Sequence, residues 1–290
     1  MKTFKYWIEA MRLRTLPVSV AGVITAIALA VMHGVFDVVP AVICLCFAVL
    51  AQIASNFANE YFDYTAHRDR PGREGPRRGV TEGEITPSAM KKAIYITLLL
   101  AGCLGLSLVG WGGWRLIAIG AAIGVGVFAY SAGPYPLSTH GWGEVGVVLF
   151  FGIVPVNFTY YVQALAFPTD VFLGSVAVGL MGANVLIVNN YRDMEDDEAV
   201  CKRTLCVKLG RRAMLWLYAL DAVVACALLW PVWEALGEYA LFIPAVYWVL
   251  AMMIVRRMSV TRGAALTPML GITAMLMFAV SAAILIFALV

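Results

Sequence analysis

Nine apolar stretches, each close to the length of a helix that crosses a lipid bilayer, run through this chain of 290 residues. About 20 helical residues span the hydrocarbon core, where a helix satisfies its own backbone hydrogen bonds. The stretches are continuous rather than alternating, which argues against a transmembrane barrel. We therefore predict an all-α polytopic membrane protein with one domain, residues 1–290, and nine transmembrane helices at 15–33, 39–58, 93–111, 114–131, 145–164, 171–190, 213–232, 239–255 and 269–289.

The composition supports a membrane protein and argues against two other classes. Hydrophobic residues make up 62% of the chain and charged residues 13%, which is more apolar surface than a water-soluble domain needs. The formal net charge of +3 is too small to indicate a nucleic-acid partner. This composition predicts that the protein is surrounded by membrane lipid.

The distribution of basic residues predicts how the chain is oriented. If the N-terminus lies in the cytoplasm, nine spans leave four loops and that terminus on the inner side. All 21 Lys and Arg residues except Arg115 then fall on that side, as the positive-inside tendency requires. We expect an N-inside, C-outside protein of the cytoplasmic (inner) membrane.

Two of the inner loops, residues 59–92 and 191–212, are also unusually acidic. Together they hold 11 of the 18 Asp and Glu residues, although acidic residues contribute little to orientation. A carboxylate at the centre of a bilayer would cost roughly 2.5–3.5 kcal/mol. These acids are therefore expected at the water boundary or in a water-filled cavity. Since orientation does not require them, we expect them to have a functional role.

The two acidic loops begin with the same pattern. Asn59-x-x-x-Asp63 closes the second span, and Asn189-x-x-x-Asp193 closes the sixth at the same membrane face, with Asp197 one turn further along. Residues at i, i+4 and i+8 share one face of a helix. The repeat suggests an internal duplication that brings two sets of oxygen ligands to one site.

Such a site would suit Mg²⁺ and a diphosphate. Magnesium takes one or two carboxylates and completes its shell with water and phosphate oxygens. Nearby basic residues would complete a clamp for a ligand rich in negative oxygen, and the apolar helices behind it would receive a hydrocarbon tail. A diphosphate head on a lipid tail describes a polyprenyl diphosphate.

The expected chemistry is loss of diphosphate from an allylic carbon, followed by attack of an electron-rich ring. Basic side chains would stabilise the charge that develops on the leaving group. An aromatic face would stabilise the carbocation-like carbon. The sequence does not choose among four candidates for that face: Tyr61, Tyr64, Tyr130 and Tyr191.

At these residues the sequence resembles a known family. Asn59-Glu60-Tyr61-Phe62-Asp63 with Asp69, and the stretch 189–197, are similar to the two aspartate-rich motifs of the UbiA-type intramembrane aromatic prenyltransferases. Further motifs resemble the subfamily that prenylates 1,4-dihydroxy-2-naphthoate in menaquinone synthesis. They are Arg14-Thr15-Leu16-Pro17, Gln52-x-x-Ser55-Asn56, Gly75-Pro76-Arg77-Arg78-Gly79, Tyr130-Ser131-x-Gly133-Pro134, Gly141-x-Gly143-Glu144 and Lys202-x-Thr204-Leu205.

The resemblance implies nine helices around a central cavity and transfer of a polyprenyl group to dihydroxynaphthoate with decarboxylation, giving demethylmenaquinone. It implies Mg²⁺ as cofactor and three catalytic residues, Asp63, Asp193 and Asp197. The implied metal ligands are Asn59, Asp63, Asp69, Asn189, Asp193 and Asp197. The basic residues near the motifs are expected to complete the clamp, so the candidate diphosphate-binding residues are Asn59, Arg14, Lys91, Arg192 and Lys202.

Cys201 departs from the family pattern, which has Gly before Lys202. Gly would permit a positive φ angle at this position, which Cys tolerates poorly.

Several alternatives stay open at this stage. Another UbiA-type acceptor, such as 4-hydroxybenzoate, haem or chlorophyllide, would give the same motifs. A cation-coupled transporter is a different class, but its coupling residues are expected near mid-membrane. Glu144 could orient the acceptor or assist its deprotonation, and Asp221 inside the seventh span could be functional or simply paired. Prenyl length, oligomeric state and the catalytic base are not determined by the sequence.

Overall fold

The computed structural model describes residues 2–69 and 77–290, and in this part of the chain every regular element is helical. The predicted motif residues Gly75 and Pro76 lie outside that range. The α-helices are α1 Lys2–Met11, α2 Leu16–Met32, α3 Val38–Thr65, α4 Pro87–Ser107, α5 Val109–Gly112, α6 Arg115–Ser131, α7 Gly143–Val147, α8 Val154–Ala164, α9 Thr169–Arg192, α10 Met194–Ala199, α11 Leu205–Leu228, α12 Trp230–Ala235, α13 Phe242–Val260 and α14 Thr267–Leu289.

Seven helical segments of the described chain are long and apolar enough to cross a membrane: Phe4–Met32, Val38–Thr65, Pro87–Gly112, Gly143–Ala164, Thr169–Arg192, Glu238–Val260 and Gly263–Leu289. The all-helical polytopic class is therefore confirmed. Each of the nine predicted spans overlaps a helix, but α6 has only 17 residues. Every 18-residue stretch of α11 contains Arg211, Arg212 and Asp221, so neither helix meets the same test.

Polar residues at the helix starts explain where several helices begin. The side chain of Asp37 accepts a hydrogen bond from the backbone N–H of Val39 at the start of α3. Thr86 caps α4 and Thr204 caps α11 in the same way. Each cap satisfies a backbone N–H that the first helical turn leaves without a partner.

Helix α9 is the centre of the bundle. In its most apolar stretch 72% of the residues are buried, more than in any other candidate span. It packs against α2, α8, α11 and α14. Because α9 is surrounded, its C-terminal end lies inside the protein rather than at the lipid surface.

A π-helical turn, Val148–Ile153, joins α7 to α8 and packs closely on α9. Pro155 lacks an N–H and so cannot bond the carbonyl of Phe151. A Cβ at Gly22 of α2 would lie 2.7 Å from that Phe151 oxygen, and a Cβ at Gly152 would lie 2.3 Å from the Ser175 oxygen of α9. Glycine at these two positions lets α2 and α9 approach the turn, which holds α7 beside the end of α9.

Candidate active site

The C-terminal ends of α3 and α9 line one polar cavity, together with the start of α7 and the segment before α11. We call it the head cavity. Its carboxylates are Asp63, Glu144, Asp193 and Asp197; its amides include Asn56, Asn59, Asn189 and Asn190; its cations are Arg12, Arg78, Arg192 and Lys202. The polar residues at the end of α3 and those at the end of α9 thus meet in one cavity, although Asp63 and Asn189 are 126 positions apart in the chain.

Asp63 is the central carboxylate on the α3 side. It is fully buried, and its Oδ2 atom accepts a hydrogen bond of 2.9 Å from the Lys202 ammonium. Asn59 donates a weaker hydrogen bond of 3.4 Å to the same oxygen. The other carboxyl oxygen, Oδ1, is buried without a hydrogen-bond partner. One negative oxygen in the cavity wall is therefore left for a ligand.

On the other side of the cavity, α9 ends at Arg192 and α10 begins at Met194, so Asp193 lies at the junction. Arg192 binds both oxygens of Asp193, at 2.6 and 2.8 Å, and donates a third hydrogen bond of 2.9 Å to Asn189. The backbone N–H of Asp197 bonds the carbonyl of Asp193 at 2.8 Å. This bond keeps the helical spacing across the junction, and all three predicted oxygen ligands line the cavity.

Arg12 is a site residue that the sequence analysis did not identify. Its guanidinium donates a hydrogen bond of 2.7 Å to Asn59 Oδ1. Arg12 follows α1 in a left-handed conformation, with φ +53°, and the side chain of Asn56 fixes the end of α1 by donating to the Met11 carbonyl at 2.9 Å. A turn after α1 therefore places Arg12 in the cavity wall. In the sequence, its only distinguishing feature is that it is a basic residue two positions before the predicted Arg14.

Arg78 also binds Asn59 Oδ1, at 3.2 Å. Asp69, a predicted metal ligand, lies 3.5 Å from Arg78 Nε and does not line the cavity. Arg14 and Lys91, predicted to bind diphosphate, are exposed and also lie outside the cavity lining. The structure thus places Arg12 and Arg78 where the sequence suggested Arg14 and Lys91.

The loop before α11 positions Lys202. Cys201 has φ +58°, the left-handed conformation that Gly adopts more readily. The backbone N–H of Lys202 then bonds the Asp197 carbonyl at 2.9 Å. The chain therefore reaches the glycine-type geometry with Cys201 in place, and Lys202 and Asp197 are held side by side.

The acidic residues of α10 that face away from the cavity behave as an ordinary solvated surface. Glu195 and Glu198 are exposed. Arg211 donates a hydrogen bond to Glu195, which lowers the pKa of that carboxyl below its usual value. These two residues are not part of the cavity lining.

Of the four candidate tyrosines, Tyr130 is the one whose side chain is found in the cavity walls. It lines the head cavity and also a second, apolar cavity. Tyr191 is buried elsewhere, with the guanidinium carbons of Arg211 and Arg262 at 5.3 and 5.4 Å from its ring centroid. Tyr64 is 38% exposed. Among these candidates only Tyr130 is available to a ligand in both cavities.

We call the second cavity the tail cavity. Its walls come from α2, α3, α6, the π-helical turn and α8, and are almost wholly apolar. Gln52, Ser55, Tyr130 and Phe151 line both cavities. The two cavities therefore adjoin at these residues, with the charged cavity on one side and the apolar cavity on the other.

The donor set of the head cavity fits a magnesium ion bound together with a phosphate ligand. No group of three or more His, Cys, Asp or Glu side chains converges within residues 2–69 and 77–290. Asp63 instead pairs with Lys202, and Asp193 pairs with Arg192. Magnesium is usually held by one or two carboxylates plus substrate oxygens, and Asp63 Oδ1 offers such an oxygen.

Curated relatives resemble this chain over most of its length. The 1,4-dihydroxy-2-naphthoate octaprenyltransferase of Escherichia coli (strain K12) is 37% identical over 210 residues, 70% of this chain and 68% of the relative. The enzyme of the same description from Mycobacterium tuberculosis is 35% identical over 218 residues, 75% of this chain and 74% of the relative.

Solved structures share the fold. A UbiA homolog from Aeropyrum pernix K1 has a TM-score of 0.71 at 14% identity, covering 94% of this chain and 96% of its own. A UbiA homolog from Archaeoglobus fulgidus bound to DMAPP and Mg²⁺ has a TM-score of 0.64 at 16% identity, covering 94% and 98%. The UbiA prenyltransferase family model matches residues 19–266. With more than half of its length matched, this chain belongs to the UbiA prenyltransferase family.

Proposed function

We propose that this protein transfers a polyprenyl group from polyprenyl diphosphate to 1,4-dihydroxy-2-naphthoate and releases diphosphate and the acceptor's carboxyl group. The carboxyl group leaves as carbon dioxide, and the product is demethylmenaquinol, the reduced form of demethylmenaquinone. The observation that carries this proposal is the pair of adjoining cavities: a head cavity with carboxylates and cations shares wall residues with an apolar tail cavity. The acceptor assignment is supported by the dihydroxynaphthoate octaprenyltransferases of 34–37% identity.

The diphosphate head binds among the cations of the head cavity. Lys202 has three N–H donors and Arg192 has five, so each can contact a phosphate oxygen while it stays paired with its aspartate. Arg12 and Arg78 approach from the α3 side through Asn59. Charge-assisted hydrogen bonds of this kind strengthen as negative charge moves onto the leaving diphosphate.

The residues that would hold Mg²⁺ are Asn59, Asp63, Asn189, Asp193 and Asp197, and Asp69 supports them by holding Arg78. When bound there, Mg²⁺ neutralises negative charge on the diphosphate oxygens. Asp63 and Asp193 also keep Lys202 and Arg192 oriented toward the cavity. Removing Asp63 or Asp193 would leave the paired cation buried without its carboxylate.

The allylic carbon lies where the head cavity meets the tail cavity. Tyr130 offers its ring to the carbon as the bond to diphosphate breaks, and the apolar walls of the tail cavity exclude water that would capture the carbocation. The electron-rich ring of the acceptor forms the new carbon–carbon bond. Loss of carbon dioxide from the acceptor restores its aromatic ring.

The nine-span topology is part of this proposal. The C-terminal ends of α3 and α9 line the same cavity, which requires an even number of membrane crossings between them. Four membrane crossings are supplied by the helical segments α4–α5, α6, α7–α8 and α9. Together with the basic inner loops, this supports an N-inside, C-outside protein of the cytoplasmic membrane with its head cavity toward the cytoplasm.

The test uses the purified chain in lipid nanodiscs with Mg²⁺, a polyprenyl diphosphate and dihydroxynaphthoate, with product detection by mass spectrometry. We expect prenylated naphthoquinol, its loss with chelator, and its loss in Asp63→Ala and Asp193→Ala. Prenylation of 4-hydroxybenzoate alone would contradict the acceptor assignment. Full activity in both aspartate variants would contradict the site.

A further inference from the structure

Glu144 is a buried carboxylate of the head cavity that diphosphate binding does not use. It lies in the first turn of α7, is 6% exposed and lines the cavity. Its Oε1 atom accepts a hydrogen bond of 2.9 Å from Asn190, whereas Oε2 is buried without a hydrogen-bond partner. Such an unpartnered oxygen costs desolvation free energy, so its presence in a ligand cavity points to a missing donor.

That donor is not the diphosphate. No Lys, Arg or His of the described chain lies within ion-pair distance of Glu144, unlike Asp63 and Asp193, which pair with Lys202 and Arg192. A carboxylate without a cation repels phosphate oxygens. An O–H or N–H group of a different ligand can supply the hydrogen bond that Oε2 lacks.

Glu144 also lies close to the place where the reaction occurs. Tyr130 marks the junction of the head and tail cavities. A Cβ at Gly143 would lie 3.6 Å from the Tyr130 hydroxyl oxygen, and a Cβ at Gly146 would lie 3.7 Å from its ring. The start of α7 therefore flanks the junction, and an aromatic acceptor placed to attack the allylic carbon lies within reach of Glu144.

We propose that Glu144 accepts the hydrogen bond, and then the proton, of a ring hydroxyl of the acceptor. This inference rests on the proposed function. As the ring carbon bonds to the allylic carbon, the O–H electron pair becomes a carbonyl bond and the proton moves to Glu144 Oε2. The electron pair of the broken carbon–oxygen bond leaves with the diphosphate.

The arrangement also sets acceptor orientation. Two carboxylates repel at short distance, so the acceptor's own carboxylate points away from Glu144 and toward the cations of the cavity. Asn190 fixes the Glu144 side chain by binding Oε1, which leaves Oε2 for the hydroxyl. An acceptor without a hydroxyl at that position leaves Oε2 unpartnered and loses this contact.

The test combines Glu144→Gln with acceptors that lack one hydroxyl, 1-hydroxy-2-naphthoate and 4-hydroxy-2-naphthoate. Proton acceptance typically contributes 10²–10⁴-fold, so kcat with dihydroxynaphthoate is expected to fall at least about 100-fold in Glu144→Gln. With the acceptor that lacks the hydroxyl bound by Glu144, wild type and Glu144→Gln should have similarly low kcat values. The substitution and the change of acceptor each remove the same hydrogen bond. Glu144→Asp should recover at least about tenfold over Glu144→Gln.

Two controls separate this role from folding and from the proposed function. Asp221→Asn neutralises another buried carboxylate, one outside the cavity lining, and should keep kcat within about threefold. Glu144→Gln should still bind farnesyl thiodiphosphate with Mg²⁺ as the wild type does, whereas failure of the wild type to bind it would contradict the proposed function instead.

Two results would overturn the role of Glu144. One is a Glu144→Gln kcat within threefold of wild type. The other is an equal fold-loss on this substitution with all three acceptors, which would show that no hydroxyl interacts with residue 144.

Discussion

The ammonium of Lys202 lies 2.9 Å from Asp63 Oδ2 and joins residues that are 139 positions apart in the chain. Both side chains are buried, with 10% and 0% exposure. A buried ion pair often contributes little net stability, because desolvation of the two charges offsets their attraction. Its place in the wall of the head cavity therefore indicates a role in ligand binding.

Replacing Lys202 with Met should lower kcat/KM for polyprenyl diphosphate by about 100-fold, since it removes a cation from the diphosphate and leaves Asp63 unpaired. Lys202→Arg should recover part of that loss. Steady-state kinetics in nanodiscs measures both. Lys208→Met is the matched control, because Lys208 is exposed and bonds the His140 carbonyl; an equal loss there would contradict the assignment of Lys202.

Arg12 and Arg14 make a second matched pair. Arg12→Ala should lower kcat/KM for the diphosphate by about 10- to 100-fold, because it removes a charge-assisted bond to Asn59 at the cavity. Arg14 is exposed, so Arg14→Ala should change kcat/KM less than about threefold. A larger effect at Arg14 than at Arg12 would favour the assignment made from the sequence.

Asp197 and Glu198 test the metal assignment. Asp197 is buried in the cavity wall, whereas Glu198 is exposed outside it. In Asp197→Asn the Mg²⁺ concentration for half-maximal activity should rise about tenfold or more, because a carboxylate binds Mg²⁺ better than an amide does. Titration with Mg²⁺ of enzyme that was first stripped of metal by a chelator measures this concentration. An unchanged value in Asp197→Asn, or the same rise in Glu198→Gln, would count against the assignment.

Gly152 tests the packing that holds α7 in place. An alanine Cβ there would approach the Ser175 oxygen and the Gly179 backbone of α9 to 2.3–2.5 Å. Such overpacking typically costs about 1–3 kcal/mol, so Gly152→Ala should lower the thermal unfolding midpoint by several degrees. Gly102→Ala is the control, since nothing lies within 4 Å of its Cβ. Equal midpoints in the two variants would show that the turn has room to relax.

Much of the fold was predictable from local chemistry. Continuous apolar runs must form helices in lipid because backbone groups have no other partners there, and every predicted span overlaps a described helix. The repeated Asn-x-x-x-Asp pattern located the ends of α3 and α9. The Asn and Asp residues of both repeats line one cavity, although Asp69 of the first motif does not.

The choice among basic and aromatic residues needed the tertiary structure. Arg12 enters the cavity through a left-handed turn that Asn56 fixes from another helix, and no local pattern separates it from Arg14. Tyr130 on α6 lines both cavities, whereas Tyr191 on α9 is buried with Arg211 and Arg262 over its ring.

The sequence by itself therefore determined the helices, the membrane environment and the two acidic motifs, because these depend on hydropathy and on spacing along one helix. The tertiary structure decided which cation meets which carboxylate, and that one oxygen of Glu144 is buried without a hydrogen-bond partner. Those contacts join side chains far apart in sequence, and their distances depend on helix packing that the order of residues does not display.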